Sequence, residues 1–371
     1  MSMTDNEAKH PLRIGYVADR RLVEESSRLE KVRGRSYMLH SLLNSTGVIK
    51  KLVVFPAGQA SLEELKIFHS SQYVDFIVNP TAEDEEELGF GYDCPVMERL
   101  DDYVRTIAGA SLTAAELLVQ DRVSVAINWC GGWHHAKRDS AAGFCYVNDI
   151  VLAIHRLQTK FKRIMYVDLD VHHGDGVEDA FSSTNKVLTF SIHRAEPGFF
   201  PGTGHATDVG YGKGMYHSVN VPLSQGADDR LFSTIFDELF PRLLAKYRPE
   251  AFAVQCGADG LAGDELGGFN LTPASLSRAV TKVVEVGLPV LLLGGGGYNI
   301  PNTVKCWTRV TCDLTDHEMP EDVPEEDPFF LKYGPDYTTA VDPGLINNKN
   351  TEAYMDEILK AAVQNIEMIE S

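Results

Sequence analysis

Residues 164–176 read IMYVDLDVHHGDG. The first four residues are all apolar, and such a continuous run is typical of a strand buried on both faces of a parallel sheet. Acidic and histidine side chains follow immediately, so polar residues begin where the strand ends. In open α/β sheets, ligands bind beside the carboxyl ends of the strands. The stretch therefore predicts a parallel α/β sheet with a functional site at this edge.

The same pattern recurs along the chain. Further short apolar runs bounded by turn residues lie at 13–17, 52–55, 123–127, 187–192, 251–255 and 289–293. Segments with helical periodicity lie at 96–119, 147–160, 229–247 and 273–286, and another at 351–367 follows an acidic surface loop at 318–328. Alternating strands and helices form an α/β fold. We predict one mostly parallel central sheet with helices on both faces, in a single domain over 13–371 after a disordered leader at 1–12.

Composition narrows the possible partners and compartments. The chain has 371 residues and a formal net charge of −19. Binding to nucleic-acid phosphates is disfavoured, because it needs clustered basic residues, whereas an acidic exterior suits a cationic partner such as a lysine-rich tail. We see no apolar stretch of membrane-spanning length and no secretory signal. The six cysteines form no CxxC pair, so we expect reduced thiols in a cytosolic or nuclear protein.

Four of the predicted strands are followed by residues that carry chemistry. Because parallel strands end at one edge of a sheet, we expect these segments to converge on one site. The segments are 128–135 (NWCGGWHH), 168–176 (DLDVHHGDG), 256–259 (CGAD) and 294–298 (GGGGY).

Asp170, His172 and Asp259 are candidate metal ligands. Asp170 and His172 are two residues apart, so extended backbone projects both side chains to the same side, while Asp168 lies one step deeper. Two carboxylates and one imidazole leave coordination positions for water and substrate, as in catalytic zinc sites. Fe²⁺ or Co²⁺ also suits these ligands. The structural alternative is that the aspartates cap loops and helices.

The adjacent His134 and His135 are candidate catalytic residues. Their spacing is not that of HExxH metalloproteases, and adjacent side chains point in different directions, which favours two separate roles. Asp168 and Asp175 are available as carboxylate partners, and a His–Asp hydrogen bond fixes the tautomer and raises the basicity of the ring. A single buried histidine would more often be structural.

The glycine run at 294–297 lacks the spacing of a phosphate-binding loop. We expect it to let the backbone pass close to the metal and to present Tyr298, whose phenol can donate to an oxyanion. Phe144 and Phe200 lie in glycine-rich loops, where they either anchor the loops or form the walls of a narrow slot. Such a slot would hold the four-methylene stem of a lysine.

These residues resemble the conserved blocks of the class I zinc-dependent histone deacetylases. The matching blocks are 128–135, 143–148, 166–181, 197–204, 257–269 and 294–307, and the likeness extends over about 14–337. The resemblance implies an arginase/deacetylase-like fold and hydrolysis of N-ε-acetyl-lysine by a metal-activated water. It implies zinc ligation by Asp170, His172 and Asp259. The catalytic residues implied are His135 as general base, His134 as its partner, Tyr298 as the carbonyl-polarising phenol, and Asp168 and Asp175 as carboxylates behind the histidines.

The resemblance also implies substrate and ion sites around this centre. Gly143, Phe144, Phe200 and Leu266 would line the acetyl-lysine tunnel, with Asp93 gripping the substrate backbone at the rim, and Arg35 and Gly131 would border an acetate-release cavity. One potassium site would use Asp168, Asp170, His172, Ser191 and Ile192, several through backbone oxygens. A second would use carbonyls of Phe181, Thr184 and Val187. Chromatin and transcription regulation, histone tails as substrates, and a nuclear and cytoplasmic location are expected in the same way.

Within the family, blocks 174–181 and 294–302 resemble the type 8 branch. Corepressor-dependent members carry basic residues for inositol phosphate where Glu265 and Pro301 stand here, so we expect activity without corepressor or inositol phosphate. Leu266 replaces the usual methionine of that branch, and Tyr37 replaces the serine of a phosphorylation site. Two other functions stay open: a polyamine or other small-molecule deacetylase of the same fold, which would need an acid where Leu266 stands but has Glu265 next to it, and a chromatin scaffold without activity. Cys94 and Cys145 are either a redox pair or buried thiols.

Overall fold

The structure is a computed structural model that describes residues 12–370. Residues 1–11 of the predicted leader lie outside the described residues, while Leu12 is exposed. Eight strands form one sheet in the order β2-β1-β3-β8-β7-β4-β5-β6, and every neighbouring pair is parallel. The strands are β1 Ile14–Val17, β2 Val53–Phe55, β3 Val125–Asn128, β4 Ile164–Asp168, β5 Val187–Arg194, β6 Ser218–Leu223, β7 Ala251–Gln255 and β8 Val290–Leu293. The predicted α/β class and parallel sheet are confirmed.

Helices connect the strands and cover the sheet. They are α1 Arg20–Ser26, α2 Arg35–Ser45, α3 Leu62–Leu65, α4 Ser71–Val78, α5 Leu100–Val119, α6 Asp149–Leu157, α7 Asp175–Phe181, α8 Asp229–Tyr247, α9 Pro273–Glu285, α10 Ile300–Leu314 and α11 Glu352–Glu367. The buried apolar residues form two clusters. In β3 and β8, alternate residues belong to different clusters, because successive side chains of a strand point to opposite faces.

Side-chain caps explain why several helices begin where the sequence predicts. Asp228 accepts a hydrogen bond from the Leu231 amide at the start of α8, and Thr272 does the same for Ala274 at the start of α9. Each cap satisfies an amide that has no partner within the first turn of the helix. The prediction for 229–247 matches α8 at both ends.

One strand, β6, is absent from the sequence-based prediction. It reads SVNVPL, and its proline and alternating polar residues do not form a continuous apolar run. Proline is tolerated there because β6 is an edge strand of the sheet. Helix α11 covers the strand, and Tyr354 donates a hydrogen bond to the Pro222 carbonyl at 2.9 Å.

The strand register places the polar strand ends in one row. Asn128 pairs with Leu293, Leu293 with Gln255, and Gln255 with Asp168. The row continues through Ser191 of β5. The segments predicted to carry the chemistry begin immediately beyond this row, so the fold alone brings them together. Among the helices of residues 12–370, none is long and apolar enough to cross a bilayer.

Candidate active site

Asp170, His172 and Asp259 meet beyond the ends of β4 and β7. All three are buried, and one potential ligand atom of each lies within 4.8 Å of the others. The His172 Nδ1 atom is 3.0 Å from Asp259 Oδ2 and 3.2 Å from Asp170 Oδ1. The structure therefore brings together the three residues that the sequence predicts as metal ligands.

The local chemistry fits a cation at this point. Asp170 Oδ2 accepts hydrogen bonds from the Gln255 amide at 2.7 Å and the Gly296 backbone at 2.9 Å, and Asp259 Oδ1 accepts one from Val171 at 2.9 Å. The other oxygen of each carboxylate faces the same imidazole nitrogen, which carries at most one proton. Burial and the neighbouring Asp170 charge raise the pKa of Asp259, as expected when two carboxylates share one dry site. A divalent ion with nitrogen and oxygen ligands would relieve this repulsion.

The glycine run at 294–297 lies against these carboxylates. A Cβ atom at Gly296 would collide with the Asp259 and Asp170 carboxylates, and one at Gly257 would collide with Asp170. Only glycine lets the two loops approach the ligands this closely.

His134 and His135 form two His–Asp pairs beside the candidate metal ligands. His134 Nδ1 lies 2.9 Å from Asp168, and His135 Nδ1 lies 2.8 Å from Asp175. Whereas the sequence suggested that the rings diverge, their Nε2 atoms are 3.0 Å apart, so the tips converge and only the Nδ1 atoms face different partners. His134 Nε2 is also 3.9 Å from Asp170 Oδ1.

The pKa values of the two imidazoles are shifted in opposite directions. Burial opposes protonation of both, but the Asp168 and Asp170 carboxylates outweigh it and raise the pKa of His134 to about 9. Burial, together with the neighbouring His134 charge, lowers the pKa of His135 to about 3. At neutral pH, His135 is therefore the neutral ring that can accept a proton.

Tyr298 follows the glycine run and faces the same centre. Burial and the Asp259 and Asp170 charges raise its pKa, so the phenol keeps its proton. The Asp264 carboxylate accepts hydrogen bonds from the backbone amides of Tyr298 at 2.7 Å and Asn299 at 3.0 Å. Asp264 thereby ties the tyrosine to the loop that carries Asp259.

Aromatic side chains surround the approach to this centre. The Phe144 ring lies edge-on to Tyr298, with centroids 5.6 Å apart, and the Phe200 ring lies edge-on to His135 at 4.8 Å. Phe200 is 43% exposed, so it reaches the surface. Between them, the Gly143 amide donates to Asp93 Oδ2 at 2.8 Å. Two of the residues predicted to wall the slot, Phe144 and Phe200, thus flank the candidate catalytic residues.

Comparison with known proteins agrees with this geometry. The profile of the family described as "Histone deacetylase domain" matches residues 28–314. The chain belongs to the histone deacetylase family. Histone deacetylase 8 of Xenopus tropicalis is 44% identical over 345 residues, which cover 91% of this chain and 93% of that protein. For histone deacetylase 8 of Danio rerio the identity is 41%, and the coverage is 95% of both chains.

Histone deacetylase 1 of Homo sapiens is 40% identical over 90% of this chain but 70% of its own length. The predicted class I family, the likeness to the type 8 branch and the enzyme class are thus confirmed. Members of this deacetylase family hydrolyse the amide of acetylated lysine.

Next to the candidate active site, Arg35 is buried against two indole rings. Its guanidinium lies 4.7 Å from the Trp307 ring centroid and 5.8 Å from that of Trp133, and it donates to the Gly297 carbonyl at 2.9 Å. Arg35 lines a small internal cavity with these two indoles. Gly131, the other residue predicted for the release cavity, packs against Asp149 and is not among the described residues that line it.

The residues predicted for potassium form two groups, one around the carboxyl end of β4 and the middle of β5, and one around the start of β5. Ser191, in the middle of β5, pairs with Asp168 at the carboxyl end of β4. Val187 begins β5, and Thr184 donates its amide to the Phe181 carbonyl at 3.0 Å. The two predicted groups of residues are therefore separate, and potassium binding by them stays a prediction.

Sequence reasoning missed several residues that support the deacetylase site. Tyr166 donates to Asp168 Oδ2 at 2.7 Å, and Lys137 Nζ lies 2.7 Å from Asp175 Oδ2. Phe199, rather than Phe200, stacks on His172, with an interplanar angle of 3°. Tyr166 and Lys137 lie two residues from predicted site residues, which was the available signal, but spacing alone does not show which side chain each contacts. All six cysteines are buried and free, and Cys94 Sγ is 3.9 Å from the Cys145 carbonyl oxygen.

Proposed function

We propose that this chain is a zinc-dependent deacetylase of protein lysine side chains, with Asp170, His172 and Asp259 as the ligands. The observation that supports the proposal is the convergence of these ligands with the histidine pair, beside the ring of Phe200. Bound zinc supplies a Lewis acid that polarises the acetyl carbonyl and increases the acidity of water. The same three ligands also suit Fe²⁺ or Co²⁺.

The protein side chains accept and donate the protons that the hydrolysis requires. His135, held by Asp175 through Nδ1, accepts a proton from water as the water oxygen attacks the acetyl carbon. Tyr298 donates a hydrogen bond to the oxyanion of the tetrahedral intermediate. The C–N bond then breaks, a protonated histidine of the pair donates to the lysine amine, and acetate is released. Asp168 and Asp175 orient the two rings through Nδ1.

We assign an acetyl-lysine side chain to the space between Phe144 and Phe200. Phe144 and Phe200 would pack against its four methylene groups, with Gly143 and Leu266 completing the wall. Asp93 would hold the substrate backbone at the rim. We assign acetylated proteins, including histone tails, as substrates, in the nucleus and the cytoplasm, and we assign release of acetate to the cavity beside Arg35. We further assign potassium to the two groups of residues predicted for it, one with Ser191 and Ile192 and the other with Phe181, Thr184 and Val187.

A polyamine deacetylase is the alternative that shares this chemistry. It would need a free acidic group at the rim to hold a distant amine. Glu265 is the candidate, but its carboxylate lies 2.8 Å from the Lys31 ammonium, so its charge is already paired. This pairing favours the protein substrate.

Direct competition separates these two functions. With an acetyl-lysine peptide and acetylspermidine in one reaction, we expect kcat/KM for the peptide to be greater by about tenfold or more, since a pocket without a dedicated charge partner discriminates at that level. The comparison is read by mass spectrometry of both products. A preference for acetylspermidine would contradict the assignment, and the absence of turnover of either would support the inactive scaffold.

The residues at positions 265 and 301 also favour activity without a corepressor. An acid at 265, paired with Lys31, and a proline at 301 stand at two positions where a polyanion site would need basic residues. The purified chain should deacetylate the peptide at a rate that added inositol hexakisphosphate leaves unchanged. The matched variant, Glu265→Gln, which frees Lys31, is expected to behave in the same way, because one ammonium does not hold a polyanion. Protein that stays inactive until a corepressor is added would overturn this proposal.

A further inference from the structure

The guanidinium of Arg194, at the carboxyl end of β5, lies between two loops beside the candidate metal ligands. One face covers the Phe199 ring, with the guanidinium carbon 4.2 Å from the ring centroid. Its Nη1 atom donates to the Gly267 carbonyl at 2.9 Å, and its Nε atom donates to the Glu196 carboxylate at 2.7 Å. A single side chain therefore contacts both the loop of Phe199 and the loop that carries Asp259.

The opposite face of the Phe199 contact is the imidazole of His172. The two rings are stacked, with centroids 5.1 Å apart and an interplanar angle of 3°. A metal-binding histidine usually donates its second ring N–H to a carboxylate or a carbonyl, which fixes the orientation of the ring. In His172, Nδ1 faces the two candidate carboxylate ligands, and Nε2 forms no hydrogen bond to any residue of 12–370. Stacking on Phe199 therefore takes the place of that hydrogen bond in orienting the ring.

The contact with Gly267 connects Arg194 to the backbone of Asp259. A Cβ atom at Gly267 would collide with the Asp259 carbonyl oxygen, and one at Gly268 would lie 2.6 Å from Arg194 Nη1. The backbone at 267–268 is therefore packed between the Asp259 backbone and the guanidinium. Arg194 thus lies one residue away from each of two ligands, His172 and Asp259, that come from different segments of the chain.

We propose that Arg194 is a positioning residue of the metal centre, which holds His172 through Phe199 and Asp259 through the backbone at 267–268. A guanidinium suits this role, because its planar face and its N–H edge can make contacts at the same time. Ligands that are already held in place lose less conformational freedom when the ion binds, so they bind it more tightly. This role rests on the function proposed above, since it assumes that zinc is the ion that these ligands hold.

The zinc affinity of the full chain tests this role independently of turnover, with zinc-free protein titrated against a competing fluorescent chelator. Arg194→Met keeps an unbranched stem but removes the guanidinium, and we expect it to weaken zinc binding by about tenfold, since loss of a group that orients a ligand commonly costs ~10–100-fold. The control is Arg122→Met. It removes a guanidinium that lies 4.8 Å from the Phe55 ring centroid, near the start of β3 and away from the site, and should leave the zinc affinity unchanged.

Two further variants separate positioning from a general loss of structure. Arg194→Lys keeps the charge but cannot cover the ring and donate to both oxygens, so it should weaken zinc binding less than Arg194→Met does, and it decides the test if Arg194→Met does not fold.

Phe199→Leu should also weaken zinc binding. In Arg194→Met/Phe199→Leu, the loss should be smaller than the combined losses of the single variants, because both remove the same contact. Unchanged zinc affinity in the folded Arg194 variants, or fully additive losses in the double variant, would overturn the role of Arg194 and leave the proposed function intact. A parent chain that binds no zinc would overturn the proposed function, and the role of Arg194 with it.

Discussion

Replacing Asp170 with asparagine is expected to abolish stoichiometric zinc binding and, with it, hydrolysis of an acetyl-lysine peptide. The change keeps the size of the side chain but removes one of two buried negative charges, and its amide would face the Gln255 amide donor that now lies 2.7 Å from Asp170 Oδ2. Without the metal, no Lewis acid polarises the acetyl carbonyl of the substrate. We expect kcat/KM to fall by roughly three orders of magnitude or more, because a metal supplies several kcal/mol of transition-state stabilisation.

Metal content after dialysis, measured by inductively coupled plasma mass spectrometry, is the direct readout. Asp93→Asn is the matched control, since it makes the same chemical change in the rim loop and should retain zinc. Circular dichroism verifies that both variants are folded. One tightly held zinc per chain in Asp170→Asn would show that Asp170 is not a ligand.

Tyr298→Phe is expected to fold normally, keep its zinc and lose at least tenfold in turnover. Loss of one oxyanion donor commonly costs ~10²–10³ in rate. The phenyl ring can keep its packing against Phe144, and Asp264 can still accept the backbone amide of residue 298, so the loop should stay in place. The effect should therefore appear in kcat, with little change in KM.

Tyr92→Phe is the control for this variant. It removes a phenol from a fully exposed tyrosine beside Asp93, away from the histidine pair, and should leave kcat near that of the parent enzyme. Near-normal turnover by Tyr298→Phe would refute the role assigned to the phenol.

Much of this site could be predicted because residue type and strand position act together. The segment at 164–176 shows a buried strand followed by Asp170 and His172, and the parallel sheet brings it to the segment that carries Asp259. The meeting of these two segments can be predicted without knowing any tertiary contact, because parallel strands end at a common edge of the sheet. The apolar runs identified seven of the eight strands, and β6 was missed because its edge position tolerates a proline and polar residues that an inner strand would exclude.

The contacts that set the chemistry of individual groups could not be predicted. Lys137 reaches Asp175 across 38 positions of the chain, and Asp264 reaches the amide of Tyr298 across 34. Such contacts depend on how loops fold above the sheet, and loop conformation has no periodic pattern in the sequence. The same holds for the histidine pair, whose convergence at Nε2 depends on rotamers fixed by Asp168 and Asp175.

The most direct test of the account is a zinc titration of chelator-treated protein, with peptide deacetylation and metal content measured on the same samples. We predict negligible turnover without metal, a linear rise as zinc is added, and a plateau at one zinc per chain. Turnover that is independent of zinc, or a chain that holds one zinc and does not release acetate from the peptide, would contradict the assignment of Asp170, His172 and Asp259 as the catalytic metal site.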